Sequence, residues 1–372
     1  MLLDLTDQSD PSSRQYTKPV PSDIDDWTHY LHSPNNHAVA QDTVVAVPAH
    51  YQWIGKPRFS RSHDHLSSIS AVVSANVRVF SIVDEGPISF AAASPRWKLV
   101  ARDAFNGIRL WEHGIEKWEY HLRDFRSGPA DIARRLVAVG DTVYTTLGYG
   151  QPVTAFDAAT GEVIRTYKGT EGAREILVDG DTLCLVIGKP HESWGADEAR
   201  EIVSQEDYYP PFRRLTPPAR DMKIACLSAS TGKAQWVNEQ PYTRSLMPAT
   251  LTFLDGRVFF HNLDELVCLD AGSGKLQWNV NRPIQRKRLA WSSPTVVAYD
   301  GMVYAADRAA EDTEGDLLWL PSGGYHEYIR GEGAKGKLIA YDVKDGRRVW
   351  DCPAYEGFNS AVDIFIIDGL LW

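Results

Sequence analysis

Short runs of alternating apolar and polar residues fill this chain, and they form two phrases that return out of phase with each other. The first reads ARDAFNGIRLW, AFDAATGEVIR, CLSASTGKAQW, CLDAGSGKLQW and AYDVKDGRRVW. Each copy is an apolar strand, an Asp or Ser, a few small residues, a Gly and a second strand. The glycines are Gly107, Gly161, Gly232, Gly274 and Gly346, and four residues further on stand Trp111, Arg165, Trp236, Trp278 and Trp350. The second phrase reads VAVGDTVYTT, ILVDGDTLCLV, TFLDGRVFFH, VVAYDGMVYAAD and IIDGLLW, each with a Gly-Asp or Asp-Gly pair between two alternating runs. Alternation with period two marks half-buried strands. The paired turn residues mark tight hairpins, because Gly supplies the positive φ such turns need. Each repeat therefore predicts four antiparallel strands, labelled A to D from the axis outward. In the fourth repeat they are PATLTFLD, RVFFH, ELVCLD and KLQWNV. Units of about four dozen residues built this way predict an all-β fold, a β-propeller.

The pattern places an irregular segment at 1–26 and a lead-in at 27–68. Five full blades follow at about 69–115, 134–167, 174–237, 248–280 and 294–351, with a partial blade at 361–372. Trp372 falls inside a predicted strand, so the chain reads as a fragment of a larger ring. The rival expectation is closure by strand exchange, with DTVVAVP and HYQWIG completing the partial blade as a sixth.

VTAFDAATGEVIRTY, ELVCLDAGSGKLQW and KLIAYDVKDGRRVW resemble the blade motif of the PQQ-repeat, quinoprotein-dehydrogenase-like propellers, whose outer-strand Trp packs on the neighbouring blade. The earlier segment, with DDWTHYLHSPNNHAVAQDTVV, RFSRSHDHLSS and DEGP, resembles PQQ-binding-like propeller proteins of planctomycete-type bacteria. That resemblance implies a bacterial protein that is exported or periplasmic. It does not bring the cofactor with it. The dehydrogenases resembling this fold use a vicinal disulfide above the quinone, a Trp below it and a Glu/Asn/Asp calcium set, and this chain has no adjacent Cys pair. PQQ is disfavoured, no cofactor is expected, and a divalent metal stays open.

Composition narrows the classes further. A net charge of −10 over 372 residues disfavours nucleic acid, which requires a basic stripe. No apolar run approaches the roughly 20 residues of a membrane span. The N-terminus MLLDLTDQSDPSSRQYTKPVPSD shows no basic region followed by an apolar one, so no signal peptide is visible, against the export that the resemblance implies. The four cysteines do not read as a disulfide framework. Cys226 and Cys268 share a repeat position with Ala101, Ala155 and Ala340, and Cys184 matches Tyr144, so each reads as a buried strand residue.

Strand order locates the candidate chemistry. The A–B and C–D turns share one face, so the B–C loops and D–A links share the other. The long irregular segments are the B–C loops from Asp84 to Arg96, Gly188 to Asp221 and Arg308 to Gly336, and the D–A links from Lys56 to Ser68 and Glu116 to Ala133. All belong to that second face, where a rigid scaffold builds its sites. There His63 and His65 point the same way from an extended backbone, and Asp64 points opposite. His63 and His65 are candidate catalytic or metal-binding residues, with Asp84 as a further metal ligand, or they hydrogen-bond exposed backbone. Arg123 and Arg126, with Arg61 and Arg174, are candidate anion-binding forks or partners of nearby carboxylates. Glu85, Asp64, Trp194 and Tyr325 complete the candidate ligand-binding set.

Two functions stay open. One is a non-catalytic scaffold that grips a protein or glycan with the long-loop face. The other is a carbohydrate-active enzyme resembling a polysaccharide lyase, in which His63 or His65 takes a proton and Arg123, Arg126 or a metal stabilises the enolate. A PQQ-dependent dehydrogenase is the least supported.

Overall fold

The structure is a computed structural model. It describes residues 2–3, 15–16, 21–44, 47, 49–56, 68–89, 95–116, 132–148, 150–188, 221–247, 249–281, 294–308, 334–356 and 362–372. Five four-stranded antiparallel sheets follow one another, each paired in simple A-B-C-D order. Blade one comprises Ile69–Ala75, Arg78–Asp84, Trp97–Asp103 and Arg109–Gly114. Blade two comprises Leu136–Val139, Thr142–Thr146, Val153–Asp157 and Val163–Thr166. Blade three comprises Ala173–Asp179, Thr182–Ile187, Lys223–Ser228 and Ala234–Asn238. Blade four comprises Thr252–Leu254, Arg257–His261, Glu265–Asp270 and Leu276–Asn281. Blade five comprises Thr295–Tyr299, Met302–Arg308, Ala334–Asp342 and Arg348–Glu356. A final pair, Ile366–Ile367 with Leu370–Leu371, begins a further unit. Among the described residues no helix is long and apolar enough to cross a membrane.

The apolar core is a series of slabs between successive blades. Phe80, Leu99, Leu136 and Phe156 fill the first; Val258, Phe260 and Leu251 join blade four to Cys184 and Ile224 of blade three. Each blade packs on both neighbours, so its B and C strands are buried on both faces and read as continuous runs, as in Leu183–Ile187 and Leu266–Leu269. The repeated Asp explains the C–D turns. Asp103 and Asp157 each accept two turn amides on one side-chain oxygen, the Asx geometry that fixes such a turn. Blade three has Ser228 there instead, and Asp181 from the neighbouring A–B turn supplies the carboxylate to Ser228 and Ser230.

Trp111, Trp236 and Trp278 each dock on the next blade. Trp111 Nε1 donates to Ala158 O at 2.9 Å, Trp236 Nε1 to Ala271 O at 2.7 Å and Trp278 Nε1 to Val343 O at 2.9 Å. The ring lies flat over the turn glycine; a Cβ on Gly274 would sit inside the Trp236 ring. Blade two, with Arg165 in place of Trp, divides the task. Arg165 lies over Gly232 and donates to Ser230 O and Thr231 O, and Tyr167 Oη donates to Ala229 O at 2.6 Å. Trp53 in the lead-in does for blade one what Trp111 does for blade two: its Nε1 donates to Ala104 O at 2.8 Å and its ring covers Gly107.

The cysteines depart from the sequence expectation. Cys184 and Cys226 face each other across strands B and C of blade three and form a disulfide. In the other blades this register pairs an aromatic residue with a small one: Phe80 with Ala101, Tyr144 with Ala155, Phe259 with Cys268, Tyr304 with Ala340. A sequence separation of 42 hid the pairing. Cys268 and Cys352 are free, and burial pushes the Cys268 thiol up to about 12.

Two outcomes follow from this packing. Trp278→Ala will cost about 3–5 kcal/mol in urea unfolding, as a buried aromatic truncation. Trp350→Ala will cost clearly less, because Trp278 is 8% exposed and Trp350 37%. Thiol titration of the denatured, unreduced chain will find two thiols, Cys268 and Cys352. Four thiols without reductant would refute the Cys184–Cys226 bridge.

Candidate functional site: an axial strap and the long-loop face

An inner strand of a propeller leaves one edge of its backbone unpaired, and an unpaired amide requires an acceptor. Here the acceptors come from residues 27–37. Ser74 N–H donates to Trp27 O, Ala138 N–H to Thr28 O and Val178 N–H to His29 Nε2. Phe253 N–H donates to Pro34 O, Ala298 N–H to Asn35 O and Ile366 N–H to His37 Nε2. All six donors occupy one repeat position, two residues before the A–B turn. The strap passes blades one to five and the final strand pair in chain order.

The strap's ends are tied to each other. Thr43 N–H donates to Asp23 O, and Gln41 N–H donates to Asp25 Oδ2 at 2.6 Å. His32 Nε2 lies 2.7 Å from the same oxygen. Burial works to raise the Asp25 pKa, but the Gln41 amide and His32 outweigh it and hold the carboxyl below its usual range.

Partner geometry fixes the state of His29. Thr28 Oγ1 donates to His32 O, so it accepts from His29 Nδ1–H at 2.8 Å, and Nε2 is left to accept the Val178 amide. The imidazole is neutral. Complete burial, with Arg134 nearby, drives its pKa down to about 3. His37 is also lowered by burial.

A buried charged group lies beside the strap. Arg134 Nη1 donates to Glu175 Oε1 at 2.6 Å and to Asn36 Oδ1 at 3.0 Å. Glu175 Oε2 accepts from Ala249 N–H at 3.0 Å and Leu251 N–H at 3.3 Å. Burial raises the Glu175 pKa, partly offset by Arg134 and those amides. Asn36 Nδ2 donates to Leu251 O at 2.9 Å and Val296 O at 3.0 Å. One carboxamide thus links Arg134 to blades four and five. Among the described residues the strap occupies this position. Three His, Cys, Asp or Glu side chains do not gather there as a metal site among the described residues.

Of the candidates read from sequence, Arg61, His63, Asp64, His65, Arg123, Arg126, Trp194 and Tyr325 lie outside the described residues. Asp84, Glu85 and Arg174 lie within them, and they do not converge on one another. Asp84 Oδ1 accepts from Gly86 N–H and Arg96 N–H, both at 2.8 Å, clasping the base of blade one's B–C loop. Glu85 pairs with Lys98 and Arg109, which also pair with Glu112, on the outer side of blade one. Burial works to raise the Glu85 pKa, and Lys98 and Arg109 outweigh it. Arg174 rests against Gly188, where blade three's long loop begins. The reading by repeats passed over His29, Asn36, His37 and Arg134. The signal of His29, Asn36 and His37 was a stretch of polar side chains without period-two alternation in the lead-in, while Arg134 stands in the link into blade two.

A propeller of PQQ-type blades around an axial strap defines the class. The chain belongs to the PQQ-repeat family whose profile is described as outer membrane protein assembly factor BamB, matching residues 27–200 and 213–364. Among solved structures it is similar to BamB from Moraxella catarrhalis, at 14% identity over 79% of this chain and 69% of that one, TM-score 0.41. It is also similar to a europium-containing methanol dehydrogenase, at 12% identity over 89% of this chain and 78% of that one, TM-score 0.39. A third similarity is to the β-propeller domain of the Trilobed protease from Pyrococcus furiosus, at 9% identity over 84% and 77%, TM-score 0.43. No curated protein matches the chain.

The buried histidines predict a pH response. The unfolded imidazole titrates near 6.5 while folded His29 titrates near 3. The unfolded state therefore binds the extra proton, and stability is whole above pH 6.5 and falls as pH drops toward 3. Urea unfolding will show a slope approaching about 1.4 kcal/mol per pH unit near pH 5. His29→Gln, which keeps an acceptor for Val178, will flatten it; an unchanged slope would contradict the assignment.

Proposed function

We propose that this protein is an exported, non-catalytic propeller scaffold that grips a protein partner with its long-loop face. One observation carries the reading. The inner-strand edges around the axis are met by the chain's own strap, and Arg134 is bonded there to both Glu175 and Asn36. The remaining elaborated surface is the face from which the B–C connections of blades one, three and five emerge. On this reading Arg61, Asp64, Trp194 and Tyr325 are contact residues, with Arg174 at the base of the blade-three loop. The Cys184–Cys226 disulfide supports export, since structural disulfides persist in oxidising compartments. The BamB description of the family profile supports a protein partner over a glycan. The lead-in's resemblance to planctomycete-type proteins supports a bacterial source of that kind.

The test replaces residues 191–218 and 311–331 with short Gly-Ser linkers. A partner identified by crosslinking and then purified will bind the wild type saturably and the linker variant roughly tenfold more weakly or worse. Thermal stability should differ little, because the linkers leave the strands intact. His63→Ala with His65→Ala should leave the affinity unchanged. Release of unsaturated uronate from an acidic polysaccharide, lost in that double variant, would instead establish a lyase.

A further inference from the structure

The strap differs from a core strand in two respects. No residue of 21–44 belongs to any of the five apolar clusters between the blades. Within the same span only His29, Asn36 and His37 are buried, so one side of the strap stays open to solvent. Hydrogen bonds hold it: six to equivalent inner-strand amides, and the clasp on the Asn36 carboxamide. A peptide segment laid across unpaired inner-strand edges is held in this way, with main-chain bonds for affinity and side-chain contacts for selectivity.

Asn36 is the selective element. Its Nδ2 donates to two carbonyls and its Oδ1 accepts from Arg134, so donor and acceptor are both matched. An Asp in its place would set a carboxylate oxygen against the carbonyls of Leu251 and Val296, and an Ala would leave those groups and Arg134 short of a partner.

We infer that the axial groove is a peptide-binding site that residues 25–41 occupy as an intramolecular ligand. Its ligand class is a polar segment that turns between the positions of His29 and Asn36 and carries a carboxamide on a left-handed residue at the position of Asn36. The tether gives the strap a high effective concentration, on the order of millimolar for a short linker. A segment of the same kind from another protein therefore gains the groove only when the strap is cut, pulled out or outcompeted. This site is separate from the long-loop face, and its fate does not decide the scaffold reading.

The experiment uses the full chain with a site-specific protease sequence inserted between Ala49 and His50, both exposed. The purified protein is cleaved and offered a fluorescein-labelled peptide spanning Asp23–Asp42. The expected result is saturable one-to-one uptake by the cleaved protein and none by the uncut one. Peptides carrying Asn36→Ala or Asn36→Asp should bind roughly tenfold more weakly or worse. Hydrogen exchange on the unaltered chain gives a second readout. Ser74, Ala138, Val178, Phe253 and Ala298 amides should exchange together, and faster than the C-strand amides of Ala225 and Val267. A cleaved strap that never exchanges, a cleaved protein that loses its sheets, equal uptake of the Asn36→Ala peptide, or inner-strand amides that open only with global unfolding would each overturn the inference.

Discussion

Six inner-strand edges meet around one axis in this protein, and each turns an amide inward that no neighbouring strand can accept. A buried orphan amide costs about as much as a lost hydrogen bond with its desolvation, roughly 1–3 kcal/mol each. Six together amount to a large part of the net stability of an ordinary domain. The strap of residues 27–37 meets this constraint with four carbonyls and two imidazole nitrogens in chain order. Much else follows from that placement. His29 must be neutral to accept, and burial beside Arg134 keeps it so by lowering its pKa. Asn36 takes a left-handed backbone, φ 61°, and hands its side chain to Arg134. Arg134 in turn makes the fully buried Glu175 tolerable, since a buried carboxylate without a partner would be strongly destabilising.

Neighbouring blades are joined by a second recurring contact, and its variations show what it requires. Trp111, Trp236 and Trp278 each combine a flat ring over a turn with one N–H donor to the carbonyl beside it. Arg165 with Tyr167 reproduces both parts with two side chains, so the need is for a planar cover and a donor rather than for indole itself. Trp53 extends the series backward into the lead-in, tying residues far from any repeat to blade one.

The two faces are consequently unlike. On one, A–B and C–D turns are laced together by bonds such as Ala158 N–H to Asp141 O and Ala271 N–H to Gly256 O. On the other, long connections leave blades one, three and five. The strap's bonds lie near the face of tight turns, since each amide it meets stands two residues before an A–B turn.

Blade architecture was legible in the sequence because it rests on local rules. Period-two alternation, Asp or Ser at the head of each C–D turn and Gly four residues before the outer-strand Trp or Arg act over a dozen residues and repeat five times. The strap's role was not legible. Nothing in WTHYLHSPNNH states that its acceptors match amides spread from Ser74 to Ile366. The disulfide escaped for a related reason: Cys184 and Cys226 become neighbours only through the strand register of blade three. Glu85 and Asp84 look alike as loop carboxylates, yet one serves an outer-strand ion-pair group and the other clasps a loop base. The sequence by itself determined the strands, their turns and the order of the blades, since these are short-range consequences of side-chain pattern. Only the tertiary structure decided what fills the axis, which cysteines bond and which charges are buried together, because those depend on distances set by closing many strands around one centre.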